Sequence, residues 1–219
     1  MSKVLSEDNN DPELSARDKI VERRKAILAA IHEAAIEEFA TRGVEGTSTQ
    51  SIARRAGLTK PQLHYYIASK EDLYEDILVQ ILEEWRELFI DATTGEGPGE
   101  IIRAYIRKKL EFSRSKPKAS RVFTNEIARG APVLGKHWAP HVDATRSGVA
   151  LIQSWVDEGK IRPIDPLLFH MHMWAVTQHY ADFDAQVRRM MGIEEGQEID
   201  FDRVEKEVTS LFLRSCGLE

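Results

Sequence analysis

Lys60, Gln62, His64 and Tyr65 fall on the outward positions of a short amphipathic stretch and are the long or aromatic donors and acceptors that base edges and phosphates require. A second group lies far downstream, where Trp174 and Gln178 stand at i and i+4, one above the other on a helix face. A flat indole beside a primary amide can pack against a small planar ring and exchange one hydrogen bond in each direction with its amide edge. The same spacing also suits a core tryptophan and a glutamine bonded to a backbone carbonyl. Histidines form a third group: His137 and His141 at i and i+4, with His170, His172 and Asp182 on a later helix. A metal site can be drawn from them, but His170 and His172 point to different faces and no ligand motif joins the set. No nucleophile with a neighbouring base, no paired carboxylates in a motif and no cofactor signature is found, so the expectation is a binding protein that is not an enzyme and needs no cofactor.

The elements that must hold the first group are announced locally. Thr47 with Gln50, and Thr59 with Gln62, each fit the capping box in which a threonine hydroxyl and a glutamine side chain satisfy backbone N–H groups at a helix start. Two short helices are expected there. Ile52, Ala53 and Ala56 form the inner side of the first and Leu63, Tyr66 and Ile67 that of the second. Gly57 falls where a left-handed turn is needed between them, and Pro61 sits in the first turn of the second, where its missing N–H costs little. Before them, Ile27, Ile31, Ala35 and Phe39 define a supporting helix over about 16–41, ended by Gly43. These signals describe a helix-turn-helix, whose second helix enters the DNA major groove.

The run Ile27 to Leu73, containing AAIEEFATRGVEGTSTQSIARRAGLTKPQLHYYIASKEDLY, resembles the DNA-binding domain of the TetR family of transcriptional regulators. It matches at the phenylalanine-x-x-x-glycine turn, the glycine-threonine step, the alanine-glycine turn and the serine-lysine-glutamate opening the next helix. It departs at Ile67, where that family usually carries phenylalanine, and at His64, where tyrosine is commoner. Together the motifs and the resemblance nominate Thr47, Thr49, Gln50, Thr59, Lys60, Gln62, His64, Tyr65 and Lys70 as DNA contacts, Lys70 as a phosphate contact by the resemblance.

Charge is divided along the chain. Residues 16–70 carry 10 Lys and Arg against 6 Asp and Glu, whereas residues 71–219 carry 19 against 26, within a net charge of -6. DNA contact is therefore expected at the basic N-terminal head, with an acidic body that repels phosphate. Residues 1–15 are polar and acidic and read as a flexible arm. Hydrophobic residues make up 42% of the chain, enough for a sizeable core, and no run approaches the ~20 apolar residues of a membrane span. With no signal peptide apparent, a cytoplasmic protein without a membrane partner is expected. The single cysteine, Cys216, excludes an intrachain disulfide.

The body reads as helices throughout, giving about nine in an all-α chain: a helix-turn-helix domain over 16–68 and a ligand-binding and dimerisation domain over 69–219. Ser69 and Asp72 open a long fourth helix to about Asp91, ~33 Å at 1.5 Å per residue, which can reach from the head into the body. Further helices are expected over about 100–115, 119–128 and 133–158, the last interrupted near Pro140. An eighth, capped by Asp165, is expected to run to about Met191, and a ninth carries Phe201, Val204, Val208, Leu211 and Phe212. The segments KLEFSRSKPKASRVF, EIARGAPVL, WVDEGKIRPIDP and TQHYADF resemble the RutR-type, pyrimidine-utilisation branch of the TetR family, whose members respond to uracil and thymine. That resemblance implies a homodimer built on helices eight and nine, an operator-DNA partner, a small-molecule effector such as uracil or thymine, and a ligand pocket lined by Trp85, Trp174 and Gln178. Two alternatives stay open: a regulator of the same type with another effector, and a helical protein-interaction module without specific DNA binding.

Overall fold

A computed structural model describes residues 16–92, 96–194 and 196–218. The expected arm falls outside these residues. Ten α-helices are found among them: α1 (Ala16–Gly46), α2 (Thr49–Arg55), α3 (Lys60–Tyr66), α4 (Lys70–Ala92), α5 (Pro98–Ser115), α6 (Pro117–Ala128), α7 (Trp138–Asp157), α8 (Pro166–Asp182), α9 (Asp184–Met191) and α10 (Phe201–Cys216). A 3-10 turn, Leu134–His137, precedes α7. The all-α class stands. None of the described helices is long and apolar enough to cross a membrane.

The head follows its local signals closely, with one correction. The second capping box forms as expected: Thr59 N–H donates to Gln62 Oε1 at 2.8 Å, and Gln62 N–H donates to Thr59 Oγ1 at 3.4 Å. Gly57 takes φ +70°, the left-handed turn between the two helices. The first box, however, is built one residue later than Thr47 and Gln50. Ser51 N–H donates to Ser48 Oγ at 3.0 Å and Ser48 N–H donates to Ser51 Oγ at 3.3 Å. The reason lies upstream: α1 breaks at Gly43 (φ 68°, ψ 172°), and the Thr47 hydroxyl donates to the Gly43 carbonyl at 2.8 Å. Thr47 is thereby drawn inside, 3% exposed, and Ser48 becomes the residue at the helix boundary.

Other differences concern where long helices end. The seventh helix starts cleanly at Trp138 after the 3-10 turn, and Pro140 is accommodated in its first turn, where no intrahelical N–H bond is lost. The eighth stops at Phe183 (φ -114°, ψ 30°), whose N–H still bonds the His179 carbonyl, so the stretch to Met191 is two helices and the last one is α10.

Two apolar cores result. One joins α1, α2 and α3 to α4, α6 and the 3-10 turn, and runs across the expected 68/69 domain boundary; the other joins α5 to α7, α8, α9 and α10. The head is thus seated on the body rather than tethered to it. Ion pairs of α1 with α6 reinforce the seat, Glu37 with Lys118 and Glu45 with Arg129 at 2.8 Å. Inside it, the fully buried Glu126 carboxylate accepts from the N–H groups of Val133 (2.6 Å) and Leu134 (3.1 Å) and from the Tyr74 hydroxyl (3.2 Å). One side chain therefore ties α4, α6 and the 3-10 turn together. Burial, with the Glu126 charge beside it, pushes the Tyr74 phenol well above its usual range.

Because Ser48 is the cap, Ser48→Ala should cost about 1 kcal/mol of unfolding free energy in urea, while Gln50→Ala should change it by less than about 0.5 kcal/mol. Equal effects of the two substitutions would return the cap to the Thr47 and Gln50 pair.

Candidate nucleic-acid interface and effector cavity

The recognition surface is an exposed edge of α2 and α3 over a buried inner side. Leu63, Ile52 and Ala53 are fully buried beneath it. Lys60, Gln62, His64 and Tyr65 all face solvent, as do Thr59 and Gln50, and Thr49 is half-buried. Tyr65 is 76% exposed, held edge-on by the Tyr66 ring at 5.2 Å. An exposed phenol fixed by a neighbour, beside an amide, an imidazole and an ammonium, can present directed donors to a groove. Thr47 does not join this face, because its hydroxyl is bonded inside.

Lys70 is placed differently from the other candidates. Its ammonium donates to the Val44 and Thr47 carbonyls, both at 2.9 Å, and lies 3.6 Å from Glu71. The first residue of α4 therefore clamps the link between α1 and α2. Its ammonium thus lies at the link between α1 and α2, at the residue for which the resemblance implies a phosphate contact. Arg55 acts similarly from α2, its Nε donating to buried Glu38 Oε1 at 2.8 Å. Burial opposes ionisation of Glu38, but hydrogen bonds from Arg55 and Ser51 and the charges of Arg42 and Arg55 outweigh it, holding this carboxyl below its usual range.

The body holds a cavity of about 240 Å³ that brings Trp85 of α4 together with Trp174 and Gln178 of α8. It is smaller than the ~300–1,000 Å³ of pockets for drug-sized ligands, and suits a single small ring. Phe112 and Phe123 pack edge-on against Trp85 with centroids at 5.5 and 4.5 Å. The Trp174 indole N–H donates to the Tyr105 hydroxyl, and the His170 and His141 rings pack against the indole with centroids at 4.9 and 5.7 Å. Gln178 is half-buried in the wall, four residues along the same face.

Sequence reasoning did not assign to this cavity several of its lining residues, among them Tyr105, Lys109, His141 and His170. Lys109 is 2% exposed, with its ammonium over the Trp85 ring at 3.9 Å. Burial drives its pKa down to about 7, against a smaller upward pull from Asp182. Burial, then the charges of His141 and Lys109, lowers His170 to about 4, and burial and Lys109 also lower His141. A signal for Lys109 was present: it stands four residues after Tyr105 and three after Ile106, on the apolar stripe of α5, where a solvated lysine does not belong. His137, paired with His141 in the sequence, turns away to Glu75 at 2.8 Å.

A helix-turn-helix head seated on a helical body defines a DNA-binding transcriptional regulator, and the chain belongs to the TetR family. The model of bacterial regulatory proteins of the tetR family matches residues 31–77, and that of the YcdC-like protein C-terminal region matches residues 78–219. In particular, the chain is 39% identical over 192 residues to the HTH-type transcriptional regulator RutR of Escherichia coli K12, covering 87% of this chain and 89% of that one. Among solved structures, the fold is similar to the ketosteroid transcriptional regulator KstR2 of Mycobacterium tuberculosis, with TM-score 0.72 and 19% identity over 88% of this chain and 93% of that one. It is also similar to AibR in complex with isovaleryl coenzyme A and operator DNA, with TM-score 0.64 and 19% identity over 84% and 97%.

Lowering of the Lys109 pKa has a sign that can be measured. Between about pH 7 and the ordinary lysine value of 10.5 the unfolded chain binds more protons at this residue than the folded one, so its contribution to stability rises with pH. Urea unfolding should show the native protein gaining stability relative to Lys109→Met between about pH 7 and about pH 9. A difference that stays flat would mean an ordinary lysine pKa in the cavity.

Proposed function

We propose that this protein is a homodimeric repressor of pyrimidine-metabolism genes, acting in the cytoplasm, that releases a near-palindromic operator when uracil, thymine or a similar planar pyrimidine fills the cavity. In each subunit α3 enters the major groove, with Lys60, Gln62, His64 and Tyr65 meeting bases and phosphates, and with Thr49, Gln50 and Thr59 at the α2 and α3 starts contacting the backbone. The observation that carries the reading is the position of α4. Lys70 at its first residue grips the head, and Trp85, four turns on, walls the cavity. An occupant that presses on Trp85 therefore acts on the helix that sets the head. Two heads must meet half-sites one DNA turn, ~34 Å, apart, so a small tilt of α4 in each subunit is enough to spoil the fit.

The pyrimidine assignment rests on cavity size, on three indoles in its wall and on Gln178, whose amide can pair with the amide edge of a pyrimidine ring. The dimer is supported by an apolar outer face on α8 and α10, where Leu168, Met171 and Leu211 are 49, 46 and 58% exposed.

Uracil at ~100 times its Kd should stabilise the protein by ~2.7 kcal/mol and raise its Tm, and saturating operator should weaken uracil binding by the factor by which uracil weakens operator binding. Gln62→Ala should relax sequence preference at one base position by ~1–3 kcal/mol, whereas Lys70→Met should weaken binding to all duplexes alike by loosening the head. Absence of salt-dependent duplex binding would instead favour a helical interaction module. Uracil binding that survives Gln178→Ala unchanged would remove the pyrimidine assignment.

A further inference from the structure

The polar chemistry of the cavity is one-sided. Arg86, Lys109, His141 and His170 all line it, and no carboxylate does among the described residues. The nearest balancing charge, Asp182, is engaged elsewhere, accepting from the Ser120 hydroxyl at 2.6 Å and the Thr124 hydroxyl at 2.7 Å. Lys109 Nζ faces the Trp85 ring and has no hydrogen-bond acceptor among the described residues. Trp85 Nε1 and His141 Nδ1 are buried, also without a hydrogen-bond partner. An indole N–H and an ammonium can only donate, and leaving such donors unmatched in a buried site costs free energy that an acceptor would recover. A negatively charged oxygen supplies both the acceptor and the missing charge.

We propose that the effector is bound as an anion, a single planar ring whose negative oxygen is received by the Lys109 ammonium while Trp85 Nε1 donates to a second acceptor of the ring. The negative charge can sit on a carboxylate substituent or on an acidic ring imide that has lost its proton. This inference rests on the reading of the cavity as the effector site and narrows its occupant from planar pyrimidines in general to those that carry charge.

The groups around Lys109 give the binding a proton signature. They are Trp85 and Arg86 from α4, Tyr105 from its own helix, Arg121 from α6 beside Asp182, His141 from α7, and His170 and Asp182 from α8. Burial holds the empty-site lysine near pKa 7, so an arriving anion recruits a proton to it.

Isothermal titration calorimetry of the full chain, in two buffers of different ionisation enthalpy, with uracil, orotate (uracil carrying a carboxylate) and barbiturate (an acidic ring) tests this. At about pH 8 at least one of the two anions should bind about tenfold or more tightly than uracil, the worth of one charge-assisted hydrogen bond, with net proton uptake. Its affinity should fall between about pH 7 and about pH 9, and Lys109→Met should lose both the preference and the proton uptake. Preference for orotate alone places the charge on a carboxylate, and preference for barbiturate alone places it on the ring. Uracil binding as tightly as both anions, or anion binding with no proton uptake, overturns the anion proposal while leaving the effector cavity in place. Failure of all three compounds to bind overturns both readings. The proton count is read on the native chain, so the test stands whether or not the lysine variant folds.

Discussion

Packing of α4 against α1, centred on the Tyr74 ring meeting Phe39 edge-on at 5.0 Å, is the contact on which the rest of the molecule depends. A helix-turn-helix is too small to bury its own inner side, and here it is completed by a helix that belongs equally to the body. Tyr74 is held on its other side by Glu126, which also fixes the turn leading to α7. The clamp at Lys70 and the cavity wall at Trp85 therefore lie on one helix, beside the α2 and α3 edge, and the Phe39–Tyr74 pair is one of its buried contacts with α1. Head and cavity thus share one continuous helix, α4, which runs from Lys70 to the cavity wall at Trp85.

Much of the head was legible in the sequence because its instructions are local. Thr59, Gln62, Gly57 and Pro61 act within one turn of their own positions, and each appears where its chemistry requires. The displaced cap shows the limit of such reasoning. Thr47 and Ser48 both suit a helix start, and the choice was made by a carbonyl freed at Gly43, a consequence of where α1 breaks. The break at Phe183 carries no proline or glycine and could not be read from composition. It accompanies a change in burial from α8, which packs against α5, α6 and α7, to α9, whose one buried residue is Val187.

The cavity was half legible. Trp85, Trp174 and Gln178 were found by helical spacing and resemblance, and all three line it. Lys109 and Arg86 were not, and His141 and His170 were singled out only as members of a drawable metal group, because a basic residue on a helical stripe shows its partners only when another helix closes over it. Lys109 gains its character from α4 above and α8 beside it, elements far apart in sequence. The acidity of the whole chain hides this feature further, since a net charge of -6 describes the surface and says nothing of a basic interior.

Three of the four tryptophans, Trp85, Trp138 and Trp174, stand in the cavity wall, and the fourth, Trp155, is sealed in the second core. One of the three lies beneath an ammonium, and two flank His141, with ring centroids at 5.6 and 5.7 Å. Most of the indole chromophores are consequently gathered at the cavity, with Trp155 outside it. Any change in the cavity wall therefore alters the surroundings of three natural chromophores at once.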